Sequence, residues 1–335
     1  MFPLIRRRDH DSATLCGGGA LRACILAAGL FFALPATSRA FDLQGHRGAR
    51  GLAPENTLAA FDRALDSGVS TLELDIAITA DGVPVVSHDA SLNPAITRGA
   101  DGRWLTGPRP IIHALPAAAL AAYDVGRMDP ASRYAAGFPR QQAHDGERIP
   151  TLAALFAHVR ARGADAVRFN IEAKIDPYAA GDTPPPDRFA ALLVAAIREA
   201  GMAARTTVQG FDWRALAAVQ RIAPELPTAY LSTARTAQDP AWTNGLRLAD
   251  YPTLPAMVAA AGGRIWSPAF GTLSKELVDD AHRRGLQVLP WTVNQPTDMA
   301  RMVDWGVDGL ITDYPDLAGE VLRGRGVPVP APGGR

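Results

Sequence analysis

The sequence predicts an α/β protein built as a (β/α)₈ TIM barrel, with a segment inserted between its second and third barrel strands. Three observations carry this. From Asp42 onward, short β-branched or apolar runs alternate with Ala-rich stretches of helical spacing. That order favours a parallel sheet covered by helices. The alternation makes eight main units, with one further short run set aside as a hairpin strand. Candidate chemistry groups gather at the C-terminal ends of the runs, from the first to the last. In a barrel these ends converge on one face, whereas in an open doubly wound sheet the first and last would lie far apart.

Taken in order, the strand candidates are Leu43–His46, Thr71–Ile78, the hairpin strand Val83–His88, Val167–Ala173, Thr206–Phe211, Thr228–Ser232, Arg264–Pro268, Gln287–Val293 and Gly309–Thr312. Gly, Pro, Asp or Ser bounds them. Helical spacing marks segments such as Thr57–Ser67, Thr151–Arg162, Asp187–Ala200, Trp213–Ile222 and Ser274–Arg284, several of which open on a capping residue. Ala90–Pro150 breaks the rhythm with Gly, Pro, Arg and Asp and is too long for an ordinary loop. It reads either as a lid that shapes a substrate pocket or as a decorative insertion. The expected domain is therefore 41–320 with an insertion at about 90–150, and residues 321–335, Pro- and Gly-rich from Gly324, read as a disordered tail.

The first forty residues read as an export signal. Arg6, Arg7 and Arg8 form a basic start, Cys24–Leu34 is an apolar run, and Ser38-Arg39-Ala40 offers small residues at −3 and −1. The run is short for a bilayer span, so a cleaved signal is favoured over an uncleaved anchor. The expected location is periplasmic or secreted, with no stable membrane span after cleavage. Both cysteines, Cys16 and Cys24, fall in this segment. Cleavage after Ala40 therefore leaves no thiol nucleophile, thiolate metal site or disulfide.

Composition closes off other classes. The chain has 335 residues, 47% of them hydrophobic, and its 34 basic and 34 acidic residues balance. Disorder needs low hydrophobicity and high net charge, and a nucleic-acid partner is not expected without a basic excess. Only Lys174 and Lys275 among the basic residues are lysine, which makes Lys174 conspicuous.

The chemistry-bearing residues come in clusters. His46 and Arg47 follow the first strand, and a guanidinium suits bidentate phosphate binding while an imidazole suits proton transfer near neutral pH. Pro54-Glu55-Asn56-Thr57 reads as a turn and cap leading into a helix. Glu73 and Asp75 alternate along one strand and share a face. Two carboxylates inside a barrel repel and desolvate one another unless a cation sits between them, and oxygen ligands favour Mg²⁺ or Ca²⁺. His88 ends another apolar run, and two histidines beside an acidic pair suit acid–base phosphoryl chemistry. Glu172 could complete a three-carboxylate site. Lys174, two residues on, is either a point charge for an anionic oxygen or a plain salt-bridge partner. Gln209 could line the pocket. Trp266 and Trp291 are either pocket walls or core, with core favoured for Trp266. Asp313 either bonds a pocket group or caps a turn.

As an ordered set, His46-Arg47-Gly48, Pro54-Glu55-Asn56-Thr57, Glu73-Leu74-Asp75, His88-Asp89, Glu172-x-Lys174, Trp291-Thr292-Val293-Asn294 and Asp308-Gly309-x-x-Thr312-Asp313 resemble the motifs of glycerophosphodiester phosphodiesterases. The resemblance runs from about Leu43 to Pro315. It departs mildly at Ala173, where a larger apolar residue is common, and at Gln209, where Ser is frequent. It implies a TIM barrel with an insertion after the second barrel strand. It also implies hydrolysis of glycerophosphodiesters to sn-glycerol 3-phosphate and an alcohol through a cyclic phosphate. On that reading Glu73, Asp75 and Glu172 hold one divalent cation, with Ca²⁺ favoured over Mg²⁺ by the exported setting. Arg47 and Lys174 stabilise phosphoryl charge, His46 and His88 are general base and acid in unassigned order, and Trp291 packs on the glycerol backbone. Two alternatives stand beside it: a lysophospholipid phosphodiesterase with a phospholipase-D-like outcome, and a non-catalytic periplasmic binder of glycerophosphodiesters.

Overall fold

The computed structural model describes residues 40–330. The expected export segment lies outside the described residues apart from Ala40, and so does the expected tail from residue 331.

Nine strands form one sheet: β1 (Asp42–Gly45), β2 (Thr71–Ile78), β3 (Pro84–Val86), β4 (Arg168–Ala173), β5 (Thr206–Gly210), β6 (Thr228–Ser232), β7 (Ile265–Pro268), β8 (Gln287–Val288) and β9 (Gly309–Thr312). Eight are parallel, in the order β8-β7-β6-β5-β4-β2-β1-β9. Backbone bonds join the two ends of that path. Asp308 donates to the Val288 carbonyl at 3.1 Å, Ile311 to Pro290 at 2.9 Å, and Val293 to Ile311 at 2.9 Å. The result is a nearly closed TIM barrel. The expected run Gln287–Val293 ends early as a strand, at Val288. Pro290 has no N–H to continue a ladder, and beyond Val288 the pairing goes on as an isolated Ala269–Trp291 bridge and single backbone bonds to β7 and β9.

Helices α1 (Leu58–Asp66), α4 (Leu152–Ala161), α5 (Pro186–Glu199), α6 (Trp213–Ile222), α7 (Leu254–Ala260), α8 (Lys275–Arg283), α9 (Pro296–Asp304) and α10 (Pro315–Gly324) cover the barrel. Two one-turn helices, α2 (Ala117–Leu120) and α3 (Arg133–Ala136), lie in the long segment between β3 and α4, where the insertion is expected. Thr57, Thr151, Asp212, Thr253 and Ser274 each accept a first-turn backbone N–H, a cap worth about 1 kcal/mol apiece. α7, α9 and α10 were not singled out by helical spacing. Each instead has proline in its first turn, where the fixed φ suits a helix and the missing N–H costs no bond. α10 continues to Gly324, and Val327 and Val329 pack against the core, so the expected tail begins too early at 321.

Strand parity sorts the interior. On β2, Leu72, Leu74 and Ile76 join the large core between sheet and helices, together with Phe169 and Ile171 of β4. The alternate positions, Glu73, Asp75, Asn170 and Glu172, are buried as well and therefore face the barrel axis. The far side of the axis is apolar: Ala229, Ile265 and Leu289 form a small cluster of their own. The barrel interior is thus polar on β1, β2, β4 and β5 and greasy opposite. Trp266 is core, as expected, with its Nε1–H satisfied by Ser232 Oγ at 2.9 Å.

β3 runs antiparallel to β2, with Ile76 opposite Val86. The hairpin carries the chain back toward the barrel axis, and Ser87 donates to the Asp75 carbonyl at 3.0 Å. His88 is therefore returned to the level of the carboxylates rather than left at a strand tip. Beyond it, Leu92, Ile112 and Leu120 bury themselves against Ala77 and Val85 of the hairpin, so the long segment after β3 is seated on the barrel through a small core.

Candidate active site

The first loop is tightly built. Gly45 admits no side chain, because a Cβ there would lie 2.1 Å from the Gly48 carbonyl oxygen. Gly48 has φ +84° and a backbone carbon of Ala60 2.6 Å from where its Cβ would be, so this turn requires glycine twice. Arg47 itself is left-handed, at φ 51°, a conformation that costs on the order of 1–2 kcal/mol in an L-residue. Its backbone N–H is thereby spent on Glu73 Oε2 at 2.8 Å, which fixes one carboxylate from the loop.

Asp313, just after β9, gathers four contacts. His46 Nδ1 lies 2.6 Å from its Oδ1, Arg50 donates to both oxygens at 2.8 and 2.9 Å, and Asn294 Nδ2 donates to Oδ2 at 2.7 Å. With Nδ1–H given to the carboxylate, Nε2 of His46 is the free lone pair. Burial, reinforced by Arg50, pulls the His46 pKa down to about 4 against the pull of Asp313, so the ring is neutral at pH 7. Asp313 would itself be raised by burial, but His46 and Arg50 hold it well below the usual carboxylate range.

Glu73, Asp75 and Glu172 converge, with ligand oxygens within 4.8 Å of one another. All three are buried. Glu73 accepts from the Arg47 N–H and from Gln209 Nε2 at 2.7 Å, and Asp75 Oδ2 accepts from Asn56 Nδ2 at 3.0 Å. Burial and the neighbouring Asp75 raise the Glu73 pKa well above the ordinary range. Burial raises Glu172 too, against Lys174. Burial would also raise Asp75, but His88, Lys174 and Arg47 hold it down. Asp75 Oδ1 is buried with no hydrogen-bond partner among the described residues. Three mutually repelling carboxylates with an orphaned oxygen fit a hard divalent cation, which would supply the positive charge and satisfy the free lone pairs.

The cationic groups surround this triad. Lys174 Nζ donates to Glu172 Oε1 at 2.8 Å and lies 3.7 Å from Asp75 Oδ1. It is a salt-bridge partner at rest and a point charge at the pocket edge. Arg47 donates through Nη1 to Glu55 Oε1 at 2.7 Å, and its Nε stands 3.4 Å from Asp75. His88 Nδ1 meets Asp89 Oδ1 at 2.8 Å, so its Nε2 is the free nitrogen. Burial would raise Asp89, but this contact holds its pKa down.

Two cavities meet here. The inner one, about 170 Å³, is lined by His46, Arg47, Glu73, His88, Glu172 and Trp291 among others. The outer one, about 400 Å³, shares His88, Glu172, Lys174 and Phe211 with it and continues past Asp89, Arg109, Asp176 and Asp182. Trp291 forms an inner wall. Its Nε1–H is bound to the Ser267 carbonyl at 2.9 Å, and Phe211 meets it edge-on with centroids 5.4 Å apart.

Every residue singled out for the site (His46, Arg47, Glu73, Asp75, His88, Glu172, Lys174, Trp291) borders this inner cavity or, for Asp75, the triad beneath it. The turn Pro54–Thr57 does more than cap α1. Thr57 caps, but Glu55 pairs with Arg47 and Asn56 with Asp75. Gln209 orients Glu73 rather than only lining the pocket. Arg50 carried no signal of its own, since it acts through Asp313, which chain separation hides; Asn294 was marked only as a member of the Trp291–Asn294 motif, without its bond to Asp313.

The sequence model of the glycerophosphoryl diester phosphodiesterase family matches residues 46–317. The chain belongs to that family. A glycerophosphodiester phosphodiesterase from Caldanaerobacter subterraneus subsp. tengcongensis is 29% identical over 280 residues, covering 83% of this chain and 96% of its own. A solved structure from Silicibacter pomeroyi DSS-3, provisionally named a glycerophosphoryl diester phosphodiesterase, is 40% identical with a TM-score of 0.78, over 86% of this chain and 95% of its own. A phosphodiesterase from Oleispira antarctica, solved in complex with its product sn-glycerol-3-phosphate, shares the fold at 22% identity and a TM-score of 0.62, over 84% and 96%. The family chain described here is thus a hydrolase, a TIM-barrel phosphodiesterase with a buried acidic triad able to bind a divalent metal.

Proposed function

We propose that the enzyme cleaves glycerophosphodiesters to sn-glycerol 3-phosphate and a free alcohol, with His46 as general base and His88 as general acid. The observation that carries this is the pair of Nδ1-anchored histidines on either side of the carboxylate triad, with Arg47 and Lys174 beside it. Glu73, Asp75 and Glu172 would hold one divalent cation, with Ca²⁺ favoured over Mg²⁺, which when bound supplies Lewis-acid stabilisation of phosphoryl charge. Arg47 and Lys174 add fixed positive charge at the same oxygens.

The role assignment rests on placement. His46 lines only the inner of the two cavities, whereas His88 lies where they join. The neutral Nε2 of His46 takes the proton of the glycerol 2-hydroxyl as that oxygen attacks phosphorus. The bond to the outer alcohol breaks, and His88 Nε2–H protonates the departing oxygen into the outer cavity. The cyclic phosphate is then opened by water. His88, now neutral, takes the water proton, and His46 returns its proton to the 2-oxygen. Trp291 gives the glycerol backbone an apolar face.

The walls of the outer cavity favour a deacylated substrate. Four charged groups, Asp89, Arg109, Asp176 and Asp182, share the path leading away from His88 with apolar Ile175, Phe211 and Trp242, and burying an acyl chain against those charges costs more than seating a head-group alcohol. The N-terminal sequence pattern supports an exported enzyme, periplasmic or secreted. Among the described residues, no helix is long and apolar enough to cross a membrane. The test is release of glycerol 3-phosphate from glycerophosphocholine after chelation, then with Ca²⁺ or Mg²⁺ restored. Metal-dependent release, higher with Ca²⁺, is expected. Turnover of lysophosphatidylcholine alone, or binding without turnover, would overturn the reading.

A further inference from the structure

The inserted segment reaches the site through one hydroxyl. Tyr134 OH donates to Glu55 Oε2 and accepts from Arg50 Nη1 at 3.2 Å, with Arg47 Nη1 3.5 Å away. The other oxygen of Glu55 takes Arg47 Nη1 at 2.7 Å. Arg50 spends its remaining donors on Asp313, the partner of His46. The hydroxyl therefore sits where the Arg47–Glu55 pair and the Arg50–Asp313–His46 chain meet. Arg47 needs such support, because its Nε is buried with no hydrogen-bond partner among the described residues.

The segment around Tyr134 is tied down on the same loop. Ser132 caps α3, Phe138 packs on Tyr134 with ring centroids 5.2 Å apart, and the Arg50 guanidinium lies 4.6 Å from the Phe138 ring centre. Gln141 Nε2 donates to the Arg50 carbonyl at 2.7 Å, and the Gln142 N–H to the Leu52 carbonyl at 2.9 Å. None of these contacts reaches a metal ligand.

We propose that Tyr134 is a positioning residue that holds the Arg47 guanidinium in its phosphate-binding orientation through Glu55, which makes phosphate affinity depend on the seating of the inserted segment. This rests on Arg47 being a phosphate ligand, as read above. Loss of the hydroxyl leaves one oxygen of buried Glu55 and one Arg50 donor unpaired, and the carboxylate is then free to turn away from Arg47. Arg50 keeps its two bonds to Asp313, so the His46 side is disturbed less.

The experiment is a double-variant cycle on the full chain with Tyr134→Phe, Glu55→Gln and both together, read as the glycerol 3-phosphate Kd by calorimetry and as kcat and KM. Tyr134→Phe should raise Kd and KM by about 10-fold, the scale of one lost hydrogen bond to a charged group, with kcat changed far less and the thermal midpoint close to that of the parent. The double variant should bind no more weakly than Glu55→Gln alone, because the two act in series. Gln141→Ala, which loosens the strap at the Arg50 backbone and touches no site side chain, should raise Kd by about 3-fold, a smaller loss than direct removal of the hydroxyl. Arg47→Ala sets the reference. If it leaves the Kd unchanged, the phosphate role of Arg47 fails. If it weakens binding while Tyr134→Phe and Gln141→Ala do not, or if the cycle is simply additive, the positioning role of Tyr134 is overturned.

Discussion

His46 and His88 share one device, an aspartate on Nδ1, and differ in what surrounds it. Asp313 is fully buried and carries Arg50 and Asn294 besides the imidazole. The Asp89 side chain is 29% exposed, and among the described residues its carboxylate serves His88 alone. One ring is clamped and kept neutral by burial. The other stands at the junction of two cavities, with its own side chain 32% exposed. A base acting on a held glycerol hydroxyl gains from rigidity and from being neutral at the working pH, whereas an acid that takes its proton back from an attacking water gains from a position open to solvent. The asymmetry of the two anchors is therefore the physical content of the role assignment.

The largest expected effect lies outside both anchors and serves as the baseline. Glu73→Gln should abolish divalent-ion binding by calorimetry and cut kcat by 10³-fold or more, on the order of a lost metal centre. The same variant should be at least as stable as the parent in chelator, since burial and Asp75 already disfavour the ionised Glu73. Loss of stability together with activity would mean that the carboxylate is structural.

The comparison itself is sharpened by Asp313→Asn and Asp89→Asn. The first should lower kcat on the order of 10²–10⁴-fold, because the amide presents the wrong hydrogen-bond pattern to a buried ring. The second, partly in solvent, should cost about 10-fold, in the range of a partly screened contact. Equal losses would break the asymmetry.

The smallest effect is on stability. His46 titrates at about 4 in the folded chain against 6.5 ordinarily. Between those values the unfolded chain holds the extra proton, so stability is intact above 6.5 and declines as pH falls toward 4, by about 2–3 kcal/mol. Urea unfolding in chelator at pH 7.5 and 4.5 should show a smaller decline for His46→Gln than for the parent. Identical declines would place the acid sensitivity elsewhere.

The barrel was legible because alternation and parity are local. Glu73 and Asp75 flank Leu74, and the strand period alone turns both carboxylates inward. The position of His88 was legible as chemistry but not as geometry, since only the β2–β3 pairing shows that the chain doubles back to Asp75. The supports of the site were least legible. Glu55 and Asn56 sit in a turn whose composition a cap explains without them. Arg50 meets Asp313 across 263 residues, and Tyr134 meets Glu55 across 79. Such pairings belong to closure of the ring and seating of the insertion, and no local period encodes them.

The assignment of base and acid is tested most directly by a leaving group that needs no proton. With a glycerophosphodiester of 4-nitrophenol, His88→Ala should still release a first equivalent of nitrophenolate within about 10-fold of the parent rate, since general-acid help is then dispensable, and should stall at the cyclic phosphate. His46→Ala should be slow with this substrate and with glycerophosphocholine alike. Rescue of His46→Ala and not of His88→Ala would contradict the account and reverse the two roles.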